Sequence, residues 1–411
     1  MGRGAIAQAS LESSSLAMNA AARRNAPWTA AQDAILNDAA FEEARGIIGA
    51  WPGYGRTPLV ALPGLAAETG VAAIHYKDEA GRFGLGSFKA LGGAYAVARV
   101  ILQRAEAAGT LVRMEDIIAG RSGKAVLGLT VCCATDGNHG RSVAWGAQTF
   151  GCRCVIFIHA TVSEARKSAI EAYGAEVRRT RVNYDDSLRE AQATARAQGW
   201  VVVSDTSYPG YTDIPRHVMQ GYELMAAEAF EALEAPPTHV FLQTGVGGMA
   251  AAVAAQAKRR WGDARPTIVL ADPDRSACWL ESFRAGQPTA VEGDLDTVMA
   301  GLACGDVSLL AWEILKDHGD AVMAISDDAA IAMMRRLARP KSGDPPLVAG
   351  ESGVAGLAAL VLTMGDQAAR EALGLTPQAR VLVFGTEGDT DPELYRKLVG
   401  ADAETVRRGA A

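Results

Sequence analysis

The stretch THVFLQTGVGGMAAAVAAQAKRRW, residues 238–261, is followed closely by TIVLAD, residues 267–272. The pattern predicts a strand, a glycine-rich loop, a helix and a second strand, in which the two strands run parallel. The same alternation occurs earlier, with strands predicted at 126–134, 154–160, 175–182 and 200–205. Two such runs predict an α/β protein built from two parallel-sheet domains.

The alternation also suggests how the chain is divided. Residues 1–25 have no sustained periodicity and few large apolar side chains, which predicts a flexible N-terminal arm. We assign residues 90–205 to a small domain. Residues 26–89 and 206–411 form a large domain from both flanks of the small one.

Composition restricts the kind of partner that the protein binds. A net charge of −7 gives no electrostatic footprint for nucleic acid, so a small-molecule partner is favoured. Residues 238–257 carry no charged side chain, but Gln243 and several glycines interrupt them, so no membrane span is predicted. The N-terminus lacks the apolar core of a secretory signal, which makes the cytoplasm the expected location. The cysteines show no CxxC spacing, so no metal site is expected.

Ligands of parallel α/β sheets bind beyond the carboxyl ends of the strands. Loops at 84–89, 134–140, 243–249 and 385–391 occupy such positions. The loop at 243–249 opens a helix, and its backbone N–H groups suit a phosphate. It also fits G-x-G-x-x-A, with Asp272 placed as in a dinucleotide site, so a nucleotide and another phosphate ligand remain equally open.

Lys89 follows a glycine-rich loop at a predicted helix N-terminus. A positive charge is disfavoured at this end of a helix, so the neutral amine is easier to reach. A neutral lysine amine can form an imine with an aldehyde cofactor. The spacing alone favours the alternative, an ordinary surface lysine in the first helical turn.

Four motifs together favour an imine-forming lysine over a surface lysine at position 89. They are S-F-K at 87–89, D-G-N-H-G at 136–140, G-V-G-G at 245–248 and T-E-G-D-T-D at 386–391. In this combination and order the chain resembles the tryptophan-synthase-β-like, fold-type II pyridoxal-phosphate enzymes, and within them the diaminopropionate ammonia-lyases. The likeness runs from about Trp51 to Tyr395 and includes Gly350-Glu351-Ser352-Gly353. It implies a pyridoxal 5'-phosphate cofactor in a cleft between the two domains.

The resemblance also implies roles for single residues. Lys89 would be the Schiff-base lysine, Asn138 would bind the phenolic oxygen of the cofactor, and Thr386 would face its ring nitrogen. The cofactor phosphate would bind to Gly245, Val246, Gly247, Gly248 and Met249. The substrate would bind to Thr135, Asp136, Gly137, His139 and Tyr184, with backbone N–H groups of the 135–139 loop on its carboxylate.

Two aspartates are the candidate bases. Asp136 stands where related dehydratases commonly have a small neutral residue, and an acid here suits a second ammonium group on the substrate. Asp205 ends a predicted strand, and the resemblance makes it a second base. The structural alternatives are a turn-supporting aspartate at 136 and a helix cap or loop anchor at 205.

The implied reaction is α,β-elimination of 2,3-diaminopropionate, a small amino acid, to pyruvate and two ammonia by a homodimer. A serine, threonine or 3-hydroxyaspartate dehydratase on the same scaffold is the nearest alternative, followed by a β-replacement synthase. An NAD-dependent dehydrogenase and a metabolite-binding protein are more distant ones. Ser207-Tyr208-Pro209-Gly210-Tyr211 departs from the aromatic-Glu-Gly-Tyr sequence of the family. Cys278 and Cys304 match a family pair that can form a disulfide, although reduced thiols are expected in the cytoplasm.

Overall fold

The computed structural model describes residues 15–119, 123, 126–135, 137–160, 162–180, 184–341 and 343–409. The chain forms two compact units. The larger unit comprises Met1–Ile35, Arg56–Gly81 and Ala226–Ala411, and the smaller one comprises Leu36–Gly55 and Arg82–Met225. Strands and helices are numbered in chain order through both.

The larger unit is built on a sheet with strand order β1-β10-β9-β8-β11-β3-β2. Its strands are β1 (Ser15–Met18), β2 (Leu59–Ala61), β3 (Ala73–Asp78), β8 (His239–Gln243), β9 (Thr267–Pro273), β10 (Ala321–Ile325) and β11 (Arg380–Gly385). The five central strands are parallel, and the edge strands β1 and β2 are antiparallel to their neighbours. Strands β8, β9 and β10 are buried along their whole length, which explains their apolar sequences.

Helices connect these strands. In the larger unit they are α1 (Ala30–Asp33), α3 (Pro63–Thr69), α10 (Gly248–Trp261), α11 (Cys278–Ala285), α12 (Leu309–His318), α13 (Asp327–Ala338), α14 (Ala355–Gly365), α15 (Gln367–Leu373), α16 (Pro392–Val399) and α17 (Ala403–Arg408). Helix α14 has the largely apolar sequence AGLAALVLTMG and lies in the main hydrophobic core.

The smaller unit has a parallel sheet of order β6-β5-β4-β7. Its strands are β4 (Thr130–Ala134), β5 (Arg153–Ile158), β6 (Glu176–Arg179) and β7 (Val201–Val202). Its helices are α2 (Asp38–Gly49), α4 (Ala90–Ala107), α5 (Met114–Ile118), α6 (Asn138–Phe150), α7 (Glu164–Glu171), α8 (Tyr184–Gln198) and the first part of α9 (Asp213–Ala232). The predicted α/β class with two parallel-sheet domains is confirmed.

The boundaries of the smaller unit differ from the predicted 90–205 because two flanking helices pack against α4. Gly221 of α9 lies so close to α4 that a Cβ there would be 1.8 Å from the carbonyl oxygen of Leu91. Only glycine allows this contact between helices. The predicted boundaries of 90–205 therefore exclude residues 36–55, 82–89 and 206–225, which belong to the same compact unit.

The N-terminal segment also differs from the predicted flexible arm. Ser15–Met18 pairs with β10, and the Asn19 side-chain amide donates to the carbonyl oxygen of Gly319 at 2.8 Å. A strand this short gives no detectable periodicity in the sequence. Residues 1–14 lie outside the described part. Within the described part, no helix is both long and apolar enough to cross a membrane.

Candidate active site

Lys89 and Asp205 form an ion pair in the smaller unit. Lys89 is the N-cap of α4, and its Nζ lies 2.7 Å from Oδ2 of Asp205. The two side chains are 19% and 17% exposed, so water still reaches the pair. The Lys89 nitrogen also lies 5.5 Å and 5.9 Å from the ring centroids of Phe88 and Tyr222. Both aromatic rings favour a cation beside them.

This environment controls the charge on Asp205. Burial by itself raises the pKa of the carboxyl, but the charge of Lys89 and the hydrogen bond from Lys89 outweigh it. The pKa of Asp205 is therefore held well below its usual range. The carboxylate is ionised and ready to accept a proton once its cationic partner is removed.

His139 lies near the same oxygen atom of Asp205. Its Nε2 is 2.8 Å from the carbonyl oxygen of Val203, so this nitrogen carries the hydrogen. Its Nδ1 is 3.8 Å from Oδ2 of Asp205. Burial lowers the pKa of His139, so the ring is neutral and Nδ1 faces the carboxylate without a hydrogen.

The loop after β4 is shaped by Thr135. Its Oγ1 accepts hydrogen bonds from the N–H groups of Gly137 at 3.0 Å and Gly140 at 3.1 Å. Asn138 is the first residue of α6. The Gly137 N–H group is thus already used, and it can bind a substrate carboxylate only if this bond breaks.

The predicted phosphate loop lies in the larger unit, between β8 and α10. Gly247 is the N-cap of α10 with φ +95°, and a Cβ there would be 2.1 Å from Trp279. The carbonyl oxygens of Gly245 and Val246 accept hydrogen bonds from Trp279 Nε1 and from the Ser308 N–H group, both at 2.9 Å. Among the described residues, the N–H groups of Val246, Gly247 and Gly248 have no acceptor. A backbone held in this way presents donors at a helix N-terminus, as a phosphate requires.

Thr386 follows β11, which lies beside β8 in the same sheet. Its Oγ1 is 2.5 Å from Nε2 of Gln243, the last residue of β8. Both side chains are buried. The carboxyl ends of the two strands thus bring a hydroxyl group and an amide together.

Asp272 is unavailable for a nucleotide ribose. It is fully buried, accepts a hydrogen bond from the Thr244 hydroxyl, and accepts the N–H groups of Trp279 and Leu280 at 2.9 and 3.2 Å. Burial raises its pKa to about 7. The aspartate caps α11 and accepts a hydrogen bond from Thr244 at the start of the glycine loop. These contacts occupy its carboxylate, which argues against the dehydrogenase alternative.

Comparison with known proteins agrees with this geometry. Residues 50–387 match the family model described as "Pyridoxal-phosphate dependent enzyme". The diaminopropionate ammonia-lyase of Salmonella typhimurium is 36% identical over 92% of this chain and 96% of its own length. That of Escherichia coli is 41% identical over 84% of this chain and 88% of its own length. The chain belongs to the diaminopropionate ammonia-lyase family of pyridoxal-phosphate-dependent enzymes.

Solved structures of the ammonia-lyase family have the same fold. The E. coli enzyme in complex with an aminoacrylate-PLP azomethine reaction intermediate is 36% identical, with a TM-score of 0.83 over 94% of this chain and 96% of that one. The same enzyme in complex with D-serine gives a TM-score of 0.85 at 35% identity, over 97% and 98% of the two chains. The predictions of family, fold type and cofactor are confirmed.

The described residues fit the cofactor of the ammonia-lyase family. Lys89 supplies an amine, the loop at 245–248 supplies backbone donors for a phosphate, and Thr386 supplies a buried hydroxyl group. Asp136 lies outside the described residues, and so does the side chain of Tyr184. Their assigned roles stay predictions.

Cys278 and Cys304 are not joined by a disulfide bond. Cys278 Sγ lies 3.8 Å from the carbonyl oxygen of Gly245, and burial raises the pKa of its thiol well above the usual value. A Cβ on Gly245 would be 3.0 Å from Sγ of Cys304. Both cysteines therefore lie next to the predicted phosphate loop.

Sequence reasoning missed three residues of the site. Gln243 directly follows the apolar run of β8, so its position at a strand end was an available signal. Tyr222 and Trp279 gave no such signal, because an aromatic residue on a helix ordinarily fills the core. Only the fold shows their contacts with Lys89 and with the glycine loop.

Proposed function

We propose that this protein catalyses α,β-elimination of 2,3-diaminopropionate, with one water, to pyruvate and two molecules of ammonia. The observation that carries the proposal is the ion pair of Lys89 and Asp205, in which an amine and a base lie 2.7 Å apart in a member of this family. The small amino-acid substrate binds through its carboxylate and through both of its amino groups.

Four groups would hold pyridoxal 5'-phosphate. Lys89 bonds to it covalently, the backbone of residues 245–249 binds its phosphate, Asn138 binds its phenolic oxygen, and Thr386 faces its ring nitrogen. When bound, the cofactor withdraws electrons from the substrate Cα, so that the α-proton and the β-substituent can leave. Side chains of the protein carry out the proton transfer and bind the leaving group.

Asp205 is the base that removes the α-proton. When Lys89 is a neutral amine, Asp205 no longer has an ammonium group beside it, and its pKa rises because burial is less fully offset. The carboxylate is then a stronger base than in the ion pair. His139 is held in place beside this carboxylate by the hydrogen bond from its Nε2 to the carbonyl oxygen of Val203.

The β-amino group leaves as ammonia. As an ammonium it carries its own proton, so its departure with the C–N bonding electrons needs no general acid. Asp136 would attract this ammonium group and would also serve as a base on the opposite face. The released 2-aminoacrylate tautomerises and takes up water, which yields pyruvate and the second ammonia.

A dehydratase is the second candidate, because a family structure contains D-serine. Loss of a hydroxyl group requires protonation of the leaving oxygen. The two carboxylates assigned here are bases, so they favour an ammonium leaving group over a hydroxyl group.

A substrate screen tests the proposal. Keto-acid and ammonia release should be measured with 2,3-diaminopropionate, serine, threonine and 3-hydroxyaspartate, using Lys89→Ala as the inactive control. We expect the highest kcat/KM for 2,3-diaminopropionate and two ammonia per pyruvate. A higher value for a hydroxy amino acid, with one ammonia per keto acid, would establish the dehydratase instead.

We also propose that the protein is a cytoplasmic homodimer. Light scattering after gel filtration should give twice the mass of one chain, and cell fractionation should find activity in the cytosol. A monomeric mass or a membrane-bound activity would contradict these two assignments separately.

A further inference from the structure

The side-chain amide of Gln243 is surrounded by oxygen atoms at the carboxyl end of β8. Its Nε2 lies 2.8 Å from the carbonyl oxygen of Phe384, 3.3 Å from that of Gly353 and 2.5 Å from Oγ1 of Thr386. Carbonyl oxygens only accept hydrogen bonds, so the atom that faces two of them is the NH₂ group. The backbone therefore fixes which end of the amide points at Thr386.

This orientation determines the direction of the Thr386 hydroxyl group. An amide NH₂ donates and does not accept, so Oγ1 of Thr386 must be the acceptor. The hydroxyl hydrogen then points away from Gln243. Thr386 is 4% exposed, and among the described residues it has no other hydrogen-bond partner. It presents a buried donor that only a bound ligand can satisfy.

Gln243 is an unfavourable residue for an ordinary core position. Its Oε1 is buried and has no hydrogen-bond partner in the described part of the chain. A buried amide oxygen without a donor is costly, and an apolar side chain of similar length would avoid that cost. The contact of Nε2 with Thr386 explains why an amide is present at a position where packing alone would favour an apolar side chain.

We infer that Gln243 is a positioning residue that fixes the Thr386 hydroxyl as a hydrogen-bond donor and thereby keeps the ring nitrogen of the bound cofactor unprotonated. This inference rests on the proposed function, specifically on Thr386 facing that nitrogen. A threonine alone can turn either its hydrogen or a lone pair to the ring, and Gln243 removes this choice.

The consequence for the reaction concerns the lifetime of the carbanion at Cα. A ring nitrogen that accepts a hydrogen bond withdraws fewer electrons than a protonated one. The carbanion is then less stabilised, and prompt loss of the β-amino group is favoured over reprotonation. Gln243 would influence the choice between elimination and side reactions without touching the substrate.

Nitrogen NMR tests this inference directly. The wild-type protein and the variants Gln243→Glu and Gln243→Met are reconstituted with cofactor that carries ¹⁵N in the ring. Protonation of a pyridine nitrogen moves its signal upfield. We expect an unprotonated signal in the wild type and an upfield shift in Gln243→Glu, because the carboxylate accepts the Thr386 hydrogen and turns a lone pair to the ring. Gln32→Met, which removes another buried glutamine of the larger unit, is the matched control and should leave the signal unchanged.

A mutant cycle provides a second readout. Loss of one hydrogen bond changes an equilibrium about fivefold, so Gln243→Met should weaken cofactor affinity by about this factor. The same substitution in a Thr386→Val background should have no effect, because a residue that acts through the hydroxyl needs that hydroxyl. Equal weakening in both backgrounds, or a Gln243→Glu signal identical to the wild type, would overturn the inference.

Failure of the proposed function gives a different pattern. If 2,3-diaminopropionate is not the substrate but the nitrogen signals behave as expected, the inference stands and the substrate assignment falls. If the wild-type ring nitrogen is protonated, the inference falls while elimination and the role of Lys89 remain intact.

Discussion

Lys89 and Asp205 are 116 positions apart in the sequence, yet their side chains form a hydrogen-bonded ion pair of 2.7 Å. The ammonium charge of Lys89 lowers the pKa of Asp205. In the proposed reaction, the basicity of Asp205 therefore depends on the charge of its partner.

Borohydride reduction should label Lys89. A C=N bond between the lysine and the cofactor is reducible and an ordinary amine is not, so the visible absorbance should disappear and the label should appear in the peptide that contains residue 89. Lys89→Ala should reduce turnover by orders of magnitude. Labelling of another lysine would contradict the assignment.

Asp205→Asn should act differently on the two enantiomers of 2,3-diaminopropionate. L and D substrates present the α-hydrogen to opposite faces, and we assign Asp205 to the L isomer and Asp136 to the D isomer. Loss of a positioned base costs about 10²- to 10⁴-fold, so the ratio of L to D turnover should fall in Asp205→Asn and rise in Asp136→Asn. An unchanged ratio in Asp205→Asn would make Lys89 the better candidate for the base.

Thr386→Asp should harm elimination more than Thr386→Ser. Serine keeps the hydroxyl group, whereas an aspartate would protonate the ring nitrogen and stabilise the carbanion. Steady-state pyruvate formation measures the difference. Equal activities of the two variants would show that the hydroxyl group is not needed at this position.

Gly247→Ala should weaken cofactor binding. The alanine would adopt φ +95° and place its Cβ 2.1 Å from Trp279. Left-handed backbone costs about 1–2 kcal/mol and overpacking adds about 1–3 kcal/mol. Titration with the cofactor and urea unfolding measure both effects. Adding Trp279→Leu to Gly247→Ala should partly restore cofactor binding and stability, because it removes the overpacking. If the double variant shows no recovery, backbone strain alone is responsible.

His318 should make unfolding depend on pH below neutrality. It is buried, its ring stacks on Trp28 at 5.5 Å, and burial lowers its pKa to about 4, with Arg265 as a secondary cause. The unfolded chain takes up the proton near pH 6.5, about 2.5 pH units above the pKa in the folded protein. Stability is therefore full above pH 6.5 and falls as the pH drops toward about 4.

The variant His318→Phe keeps the stacked ring without the titrating group. Its free energy of unfolding should fall less steeply between pH 6.5 and about 4 than that of the wild type. At pH 8 the histidine is neutral in both states, so the two slopes should agree there. Parallel curves over the whole range would show that His318 does not contribute.

The sequence predicted elements whose signal is local. Alternation of apolar strands and helices gave the parallel sheets, and the loop before Lys89 correctly placed this residue at the N-terminus of α4. The loops that follow β4, β8 and β11 were predicted because the ligand-binding edge of a parallel sheet is known in advance.

Contacts between distant segments were not predictable in the same way. Asp272 fitted a ribose-binding acid equally well, and only the fold shows that it caps α11. Asp205 likewise had two interpretations until Lys89 was found beside it. Residue types and spacing do not record which side chain will face a buried group, since that depends on packing between elements.

The four-residue strand β1 has a consequence for how the protein should be handled. It covers the outer edge of β10, whose unpaired N–H and C=O groups would otherwise form a template for another chain. Removing residues 15–18, or attaching a bulky N-terminal tag that displaces them, would leave a buried apolar strand open to intermolecular pairing. We therefore expect the solubility of the preparation to depend on this short edge strand, so affinity tags belong at the carboxyl terminus.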